Sequence, residues 1–309
     1  EPLKGLNAAH MIAEIAARID MNTDLVTEDF GLSSAPPAVQ QMCDLKTTYD
    51  VSLPSLAALC VNLLFLGGGQ TTERAIERLR TICEEAVASV MMKYESACAF
   101  AMQRGLLPEA EKLRGTPRVL LLSELEAMAA AKNDDFPAWK TAQAQLLREK
   151  IEQGGLTLQN ASIQYIQRVP ECSGEEEPMV VIGIAPPYYP AVCNAYLPAD
   201  GSDIAEKVRA VVEGSYHMQL SVIPYFTGIG DGSYMTCTAP AQERALLTNL
   251  MSLPASIYDI PFESAARLNA PVFYLGPRCR AIHQWCERVY LPDLVEIVPH
   301  IIDHILGLR

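Results

Sequence analysis

The amino-acid sequence predicts an α/β chain: a small α+β layer first, then the C-terminal portion of a parallel α/β domain. Three observations lead there. Apolar residues recur at three- and four-residue spacing through several segments of helical length. Short β-branched or aromatic runs, closed by Gly or Pro, lie between them and read as buried strands. The order is helix, strand, strand, long helix, then strand and helix in alternation toward the end.

Residues 6–19 place Leu6, Met11, Ile12, Ile15, Ala16 and Ile19 on one side of a helix, with Asn7 in the N-cap region. The polar 20–37 stretch, with Gly31 and Pro36-Pro37, reads as a loop. Residues 38–49 and 56–66 read as two strands, although the Leu and Ala content of the second also suits a helix. Gly67-Gly68-Gly69 then leads into a long helix over 72–104, with Ile76, Leu79, Ile82, Cys83, Ala86, Val87, Val90 and Met91 along one side. Thr71 or Thr72 caps it and Gly105 stops it. The glycine triplet could cradle an anion on that helix, but no Lys follows as in a P-loop and the spacing is not the dinucleotide fingerprint.

After a polar connector at 106–117 come a short strand at 119–122 and a helix at 123–132 with a Ser123/Glu126 capping box. Residues 136–154 read as helix and 156–169 as helix or strand, so 106–169 has the character of an insertion. An acidic loop at 172–178 precedes a buried strand at 179–185, ended by Pro186-Pro187. Then follow a helix at 204–214 capped by Ser202 or Asp203, a strand at 219–225, a loop at 226–231 and a buried strand at 271–275. The last helix, 292–306, has Pro at its first turn and turns Leu294, Val295, Val298, Ile301, Ile302 and Ile305 toward a core.

The 309 residues suffice for two domains, and the balance of half apolar to one-fifth charged is that of an ordinary globular protein. No apolar run approaches the roughly 20 residues a membrane span needs. The formal charge of -13 repels a phosphate backbone and offers no net attraction to anionic lipid, so neither nucleic acid nor a membrane surface is expected as partner. Nine cysteines without a paired framework suit a reducing compartment, which makes the cytoplasm the expected location.

The chemistry gathers near the end. The 271–275 run stops at Gly276-Pro277, and His283, Glu287 and Arg288 follow. A strand that ends in such a loop and then presents an imidazole and a carboxylate is how an α/β protein places reactive groups at the carboxyl edge of its sheet. His283 is the candidate metal ligand, the plainer reading being a histidine that simply satisfies its hydrogen bonds. Glu287 is a carboxylate to orient that ligand or close the site, and Arg288 a guanidinium to pair with it; the plainer reading is a surface ion pair. Cys279, His283 and Cys286 supply three ligands where a structural zinc site needs four, and adjacency alone does not make a Cys286–His283 dyad. The Gly230-Asp231-Gly232-Ser233 turn reads by itself as an Asx-turn ending a strand. His300 and His304 fall among Asp293, Glu296 and Asp303, a solvated face.

These residues carry a resemblance. Gly276-Pro277, His283 and Glu287-Arg288-Val289, together with Pro2-Leu3-Lys4-Gly5-Leu6-Asn7-Ala8, Ala185-Pro186-Pro187-Tyr188-Tyr189-Pro190 and Gly230-Asp231-Gly232-Ser233-Tyr234, are similar to motifs of metallopeptidase family twenty. That family holds co-catalytic zinc exopeptidases, aminoacylases and desuccinylases, and the closest likeness is to its arginine-utilisation branch. The resemblance implies a ferredoxin-like lid over residues 1–190, able to form a homodimer, with the insertion inside it. It further implies that 191–309 is the C-terminal part of an α/β/α zinc-exopeptidase-like domain. His283 is carried over as the last metal ligand, and Asp231, Ser233, Glu287 and Arg288 as cleft or supporting residues; Tyr188 and Tyr189 fall near a hinge, and Asn62 is a possible contact for a substrate carboxylate. Two zinc ions serve the complete family site, at most part of which is expected here, and the implied substrate is a small peptide or N-acyl amino acid. The family's other metal ligands and its general base come from a half preceding the lid, so the chain is expected to lack that half, to hold no catalytic residue of its own and to be inactive alone. Relatives carry Gly-Lys-Asp where this chain has Cys279-Arg280-Ala281. The competing expectation is a non-catalytic member serving in binding or oligomerisation.

Overall fold

Asn7 sets the first helix. Its side-chain oxygen accepts from the backbone N–H groups of Ala9 and His10 at 3.0 and 3.3 Å, starting α1 (Ala8–Ile19) with Met11, Ile15 and Ile19 buried. The computed structural model describes all residues except 1–2, 48–50, 68–70, 110–111, 114, 199–200, 227–229 and 309. The architecture is mixed helix and small sheets, in agreement with the fold class. Two compact units emerge: Glu1–Tyr188 with Ala239–Ile260, and Tyr189–Thr238 with Pro261–Arg309.

In the first unit the 20–37 loop contains a 3-10 turn at Thr23–Leu25 and a small hairpin, β1 (Glu28–Asp29) and β2 (Leu32–Ser33). β3 (Ala38–Asp44) and β4 (Ala57–Asn62) pair antiparallel, so the ambiguous 56–66 run is strand, with Asn62 its last residue. α2 (Thr71–Met102) buries the stripe that its spacing marks, and Gly105, at φ +68°, follows its end. Gly68, Gly69 and Gln70 lie outside the described residues, and the anion-cradle reading with them. The Thr72 hydroxyl is buried and donates to the Glu243 carboxylate.

α1, α2 and the β3–β4 pair share one core, in which Ile15 and Ile19 meet Ile82, Ala86 and Val90 with Leu59 and Val61 alongside. Glu14 bolts the two helices together: its carboxylate accepts from Arg18 at 2.6 Å, Ser89 at 2.9 Å and Lys93 at 3.0 Å. Those donors, Arg18 foremost, lower its pKa to about 2.

β5 (Arg118–Leu121) and β6 (Met179–Ile182) form a parallel pair, and between them run α3 (Leu122–Lys132), α4 (Phe136–Glu152) and α5 (Leu158–Ser173). The 106–169 stretch is therefore integral to the first unit, supplying one strand of that pair and the helices of a second core built on Leu122, Leu125, Ala161, Tyr165 and Val169. The capping box falls elsewhere than predicted. Glu124, not Glu126, reaches back to accept from the Leu121 N–H at 2.7 Å, because the N-cap of α3 lies two residues earlier, at Leu121 rather than Ser123.

In the second unit α6 (Ser202–Arg209) runs into a π-helical segment, Ala210–Ser215. Gly201 occupies the cap position at φ +68°, and Ser202 is already helical. α7 (Ala241–Leu250) belongs to the first unit, and α8 (Phe262–Leu268) resumes the second. A short antiparallel hairpin, β7 (Cys279–Arg280) and β8 (Arg288–Val289), precedes a π segment at Asp293–Ile297 and α9 (Val298–Ile305).

Two expected strands are absent among the described residues: 219–225 and 271–275 lie in no sheet. The last helix buries only part of the predicted side, Ile301 in the core and Ile305 packed against it. Ile297 and Ile301 pack on Val208, Val211 and Val212, whereas Leu294, Val295 and Ile302 are exposed. The π segment takes more residues per turn than an α-helix and so rotates the stripe out of the register that a 3.6 period assigns. No described helix is long and apolar enough to cross a membrane.

Leu125 is fully buried in the second core. Leu125→Ala should lower unfolding stability by about 2–5 kcal/mol, the range for truncating a buried leucine, measured by circular dichroism in urea.

Candidate functional site

The β7–β8 hairpin carries the candidate ligand. Cys279 pairs with Val289 and Arg280 with Arg288, leaving 281–287 as the connecting loop. His283 is exposed there at φ +61°, Ala281 adopts φ +55°, and Trp285 is 99% exposed. Left-handed backbone costs a residue with a Cβ about 1–2 kcal/mol, so the loop needs an internal tie. Glu287 provides it: Oε2 accepts from the His283 backbone N–H at 2.9 Å. The carboxylate thus closes the loop through the main chain of His283. Arg288 does not pair with Glu287; its guanidinium donates to the Cys286 carbonyl at 3.5 Å.

The hairpin is anchored at its base by an ion pair. Asp293 is 5% exposed and accepts from Arg278 three times: backbone N–H to Oδ2 at 2.8 Å, Nε to Oδ2 at 2.7 Å and Nη2 to Oδ1 at 2.9 Å. That Arg278 contact holds the Asp293 carboxyl below the usual aspartate range. The guanidinium also lies 4.5 Å from the Tyr290 ring. Asp293 is therefore a buried anchor, where the sequence placed it on a solvated face. His300 departs from that reading too: its Nδ1 lies 3.0 Å from Tyr216 Oη.

The glycine-rich turn is built against the 271–275 run. Asp231–Tyr234 forms a 3-10 turn in which Ser233 is buried; the Asp231 side chain lies outside what is described. The Gly232 N–H donates to Tyr274 Oη at 2.8 Å. A Cβ on Gly230 or Gly232 would overlap the Tyr274 phenol, which explains glycine at both positions. Phe226 stacks on Tyr274 at 4.7 Å. The run fails to become a strand because a side chain replaces a neighbouring strand: Asn194 accepts from the Val272 N–H and donates to the Val272 carbonyl, both at 2.9 Å. Its aromatic residues stay half exposed, Phe273 at 37% and Tyr274 at 48%.

Among the residues given by motif likeness, the structure brings His283 to Glu287 and the Ser233 turn to Tyr274. Tyr188 exchanges hydrogen bonds with the Tyr258 hydroxyl at 2.9 and 3.0 Å, and the Tyr189 ring meets Tyr234 at 5.7 Å. Among the described residues no group of three or more His, Cys, Asp or Glu side chains could hold a metal ion. His283 and Glu287 alone do not fit a zinc centre, so no reaction step is routed through one. None of the nine cysteines is in a disulfide, and burial pushes the Cys83 thiol up to about 12, the behaviour of a small core hydrophobe.

Motif spacing missed Asn194, Tyr274 and Asp293. It also missed a cluster in the first unit, where Glu126 accepts from Lys140 at 2.7 and 2.8 Å and from the Tyr165 hydroxyl. Each acts on a residue 14 or more positions away in the sequence, beyond the reach of a local motif.

No protein-family model matches the chain, and no solved structure does. Two proteins of Bacillus subtilis (strain 168) are similar along nearly all of it. Protein RocB is 24% identical over 315 residues, covering 98% of this chain and 52% of that protein. The uncharacterized protein YqjN is 25% identical over 308 residues, covering 98% and 53%. The chain spans about half the length of the curated relatives it matches. These are relatives in keeping with the arginine-utilisation branch that the motifs resemble.

The Asp293 anchor gives a pH signature. A carboxyl held below its ordinary range stabilises fully above about pH 5 and loses that contribution as pH falls toward the lowered folded value. Asp293→Asn should therefore be less stable than the parent at neutral pH. The gap between the two should narrow progressively on acidification, as read from urea midpoints across an acid titration.

Proposed function

We propose that the protein is a hydrolase of the peptidase and amidohydrolase type, acting with zinc on the amide bond of a small peptide or N-acyl amino acid. The observation that carries this reading is the hairpin tip. In a chain similar to RocB and YqjN over 98% of its length, the one motif histidine is displayed in the 281–287 hairpin loop in left-handed backbone, pinned by the Glu287 carboxylate. Strained backbone held by its surroundings is a common mark of a functional residue. With its main chain fixed by Glu287, His283 presents its imidazole outward as one zinc ligand, and the remaining ligands come from outside the described residues. Asp231 and Ser233 contribute to the cleft, Arg288 supports the hairpin loop, and the reading carries a cytoplasmic location and pairing of two copies through the first unit.

The test is zinc titration calorimetry, alongside release of free amino acid from a panel of N-acyl amino acids. His283→Ala should abolish zinc binding at this site, and Glu287→Ala should weaken it about 10- to 100-fold, the usual effect of losing a group that orients a ligand. Zinc affinity unchanged in His283→Ala overturns the assignment. This chain alone is expected to bind zinc through His283 without amide hydrolysis, and turnover of any panel member would overturn the expectation that it holds no catalytic residue of its own.

A further inference from the structure

The first unit contains a cavity of about 580 Å³ that the hydrolase reading does not use. α3 and α4 form one side of it, and residues 248–255 the other. The volume falls within the range of small-molecule sites, about 300–1,000 Å³. Its wall carries two opposite charges. Glu126 Oε1 and Oε2 accept from Lys140 Nζ at 2.8 and 2.7 Å, with the glutamate side chain 18% exposed and the lysine side chain 37% exposed. Behind the carboxylate, the fully buried Tyr165 hydroxyl donates to Oε1. The glutamate is thus fixed from the rear, and the lysine, on a flexible stem at the front, is the half that can move.

We propose that this cavity binds a small zwitterion of the free amino-acid type, with its ammonium on Glu126 and its carboxylate on Lys140. The argument is one of charge conservation. A simple anion that drew Lys140 away would leave the Glu126 carboxylate without a cation in a partly buried place, and a simple cation would strand Lys140. A ligand carrying both charges replaces one internal ion pair by two, and no charge loses its counterpart. Thr248 and Asn249 line the same space and add uncharged hydrogen-bonding groups, while Phe136 offers an apolar wall for a ligand side chain. The cavity is lined by residues of the first unit alone, and binding in it does not depend on zinc.

Calorimetric titration of the whole protein in the presence of EDTA tests this, with L-leucine, 4-methylpentanoate and 3-methylbutylamine as probes. Leucine should bind, and each half-charged analogue should bind at least about tenfold more weakly, about 1.4 kcal/mol. Lys140→Gln and Thr248→Val should both weaken leucine binding while leaving the circular dichroism spectrum unchanged. The proposal is overturned if leucine does not bind, if either analogue binds as well as leucine, or if Lys140→Gln leaves its affinity unaltered. Chelation of zinc separates these outcomes from failure of the hydrolase reading.

Discussion

A helix of 32 residues, about 48 Å long, has to hide one side, and the first unit is arranged around that need. Twelve of the residues in α2 are buried, from Thr72 to Ala101. No single neighbour is long enough to cover them. α1 and the β3–β4 pair cover part of this length, and β5 approaches it elsewhere. Glu14 sets the relative placement of the two helices by gathering donors from both, which a purely apolar contact could not specify. The second core then builds on the strand that follows: β5 leads directly into α3, whose Leu122 and Leu125 face α5 across the Tyr165 hydroxyl and Glu126.

Helices were legible in the sequence because their signals are local. Asn7 caps α1, Gly105 follows α2, and a 3.6 period picked out Ile82, Ala86 and Val90. Strands were less so. The 271–275 run has the composition of a buried strand, yet its backbone partner is the carboxamide of Asn194, 78 residues away, and no local pattern announces a side chain standing in for a strand. The final helix shows a different failure: Ile301 and Ile305 face the core as the period assigns, but a π segment alters the phase before them, so Leu294 and Val295 turn to solvent and Ile297 is buried instead.

The candidate site was legible as a motif and not as a geometry. His283 and Glu287 were expected together and lie together, but the contact runs through the main chain, and Arg288 turns to the Cys286 carbonyl. The glycines beside Asp231 looked like turn punctuation; their reason is the Tyr274 phenol lying against them. Glu126 illustrates the same limit, since a residue matching a capping pattern instead joins three helices through Lys140 and Tyr165.

The two tryptophans divide between the two units. Trp139 is half-buried beside Phe136 and Tyr165, with ring centres 5.5 and 6.1 Å away, whereas Trp285 stands on the hairpin tip in water. Their fluorescence should consequently differ in colour, bluer for the first and redder for the second. Each unit therefore carries an intrinsic optical reporter, and any molecule that settles on the hairpin should shift the red component while the blue one stays put.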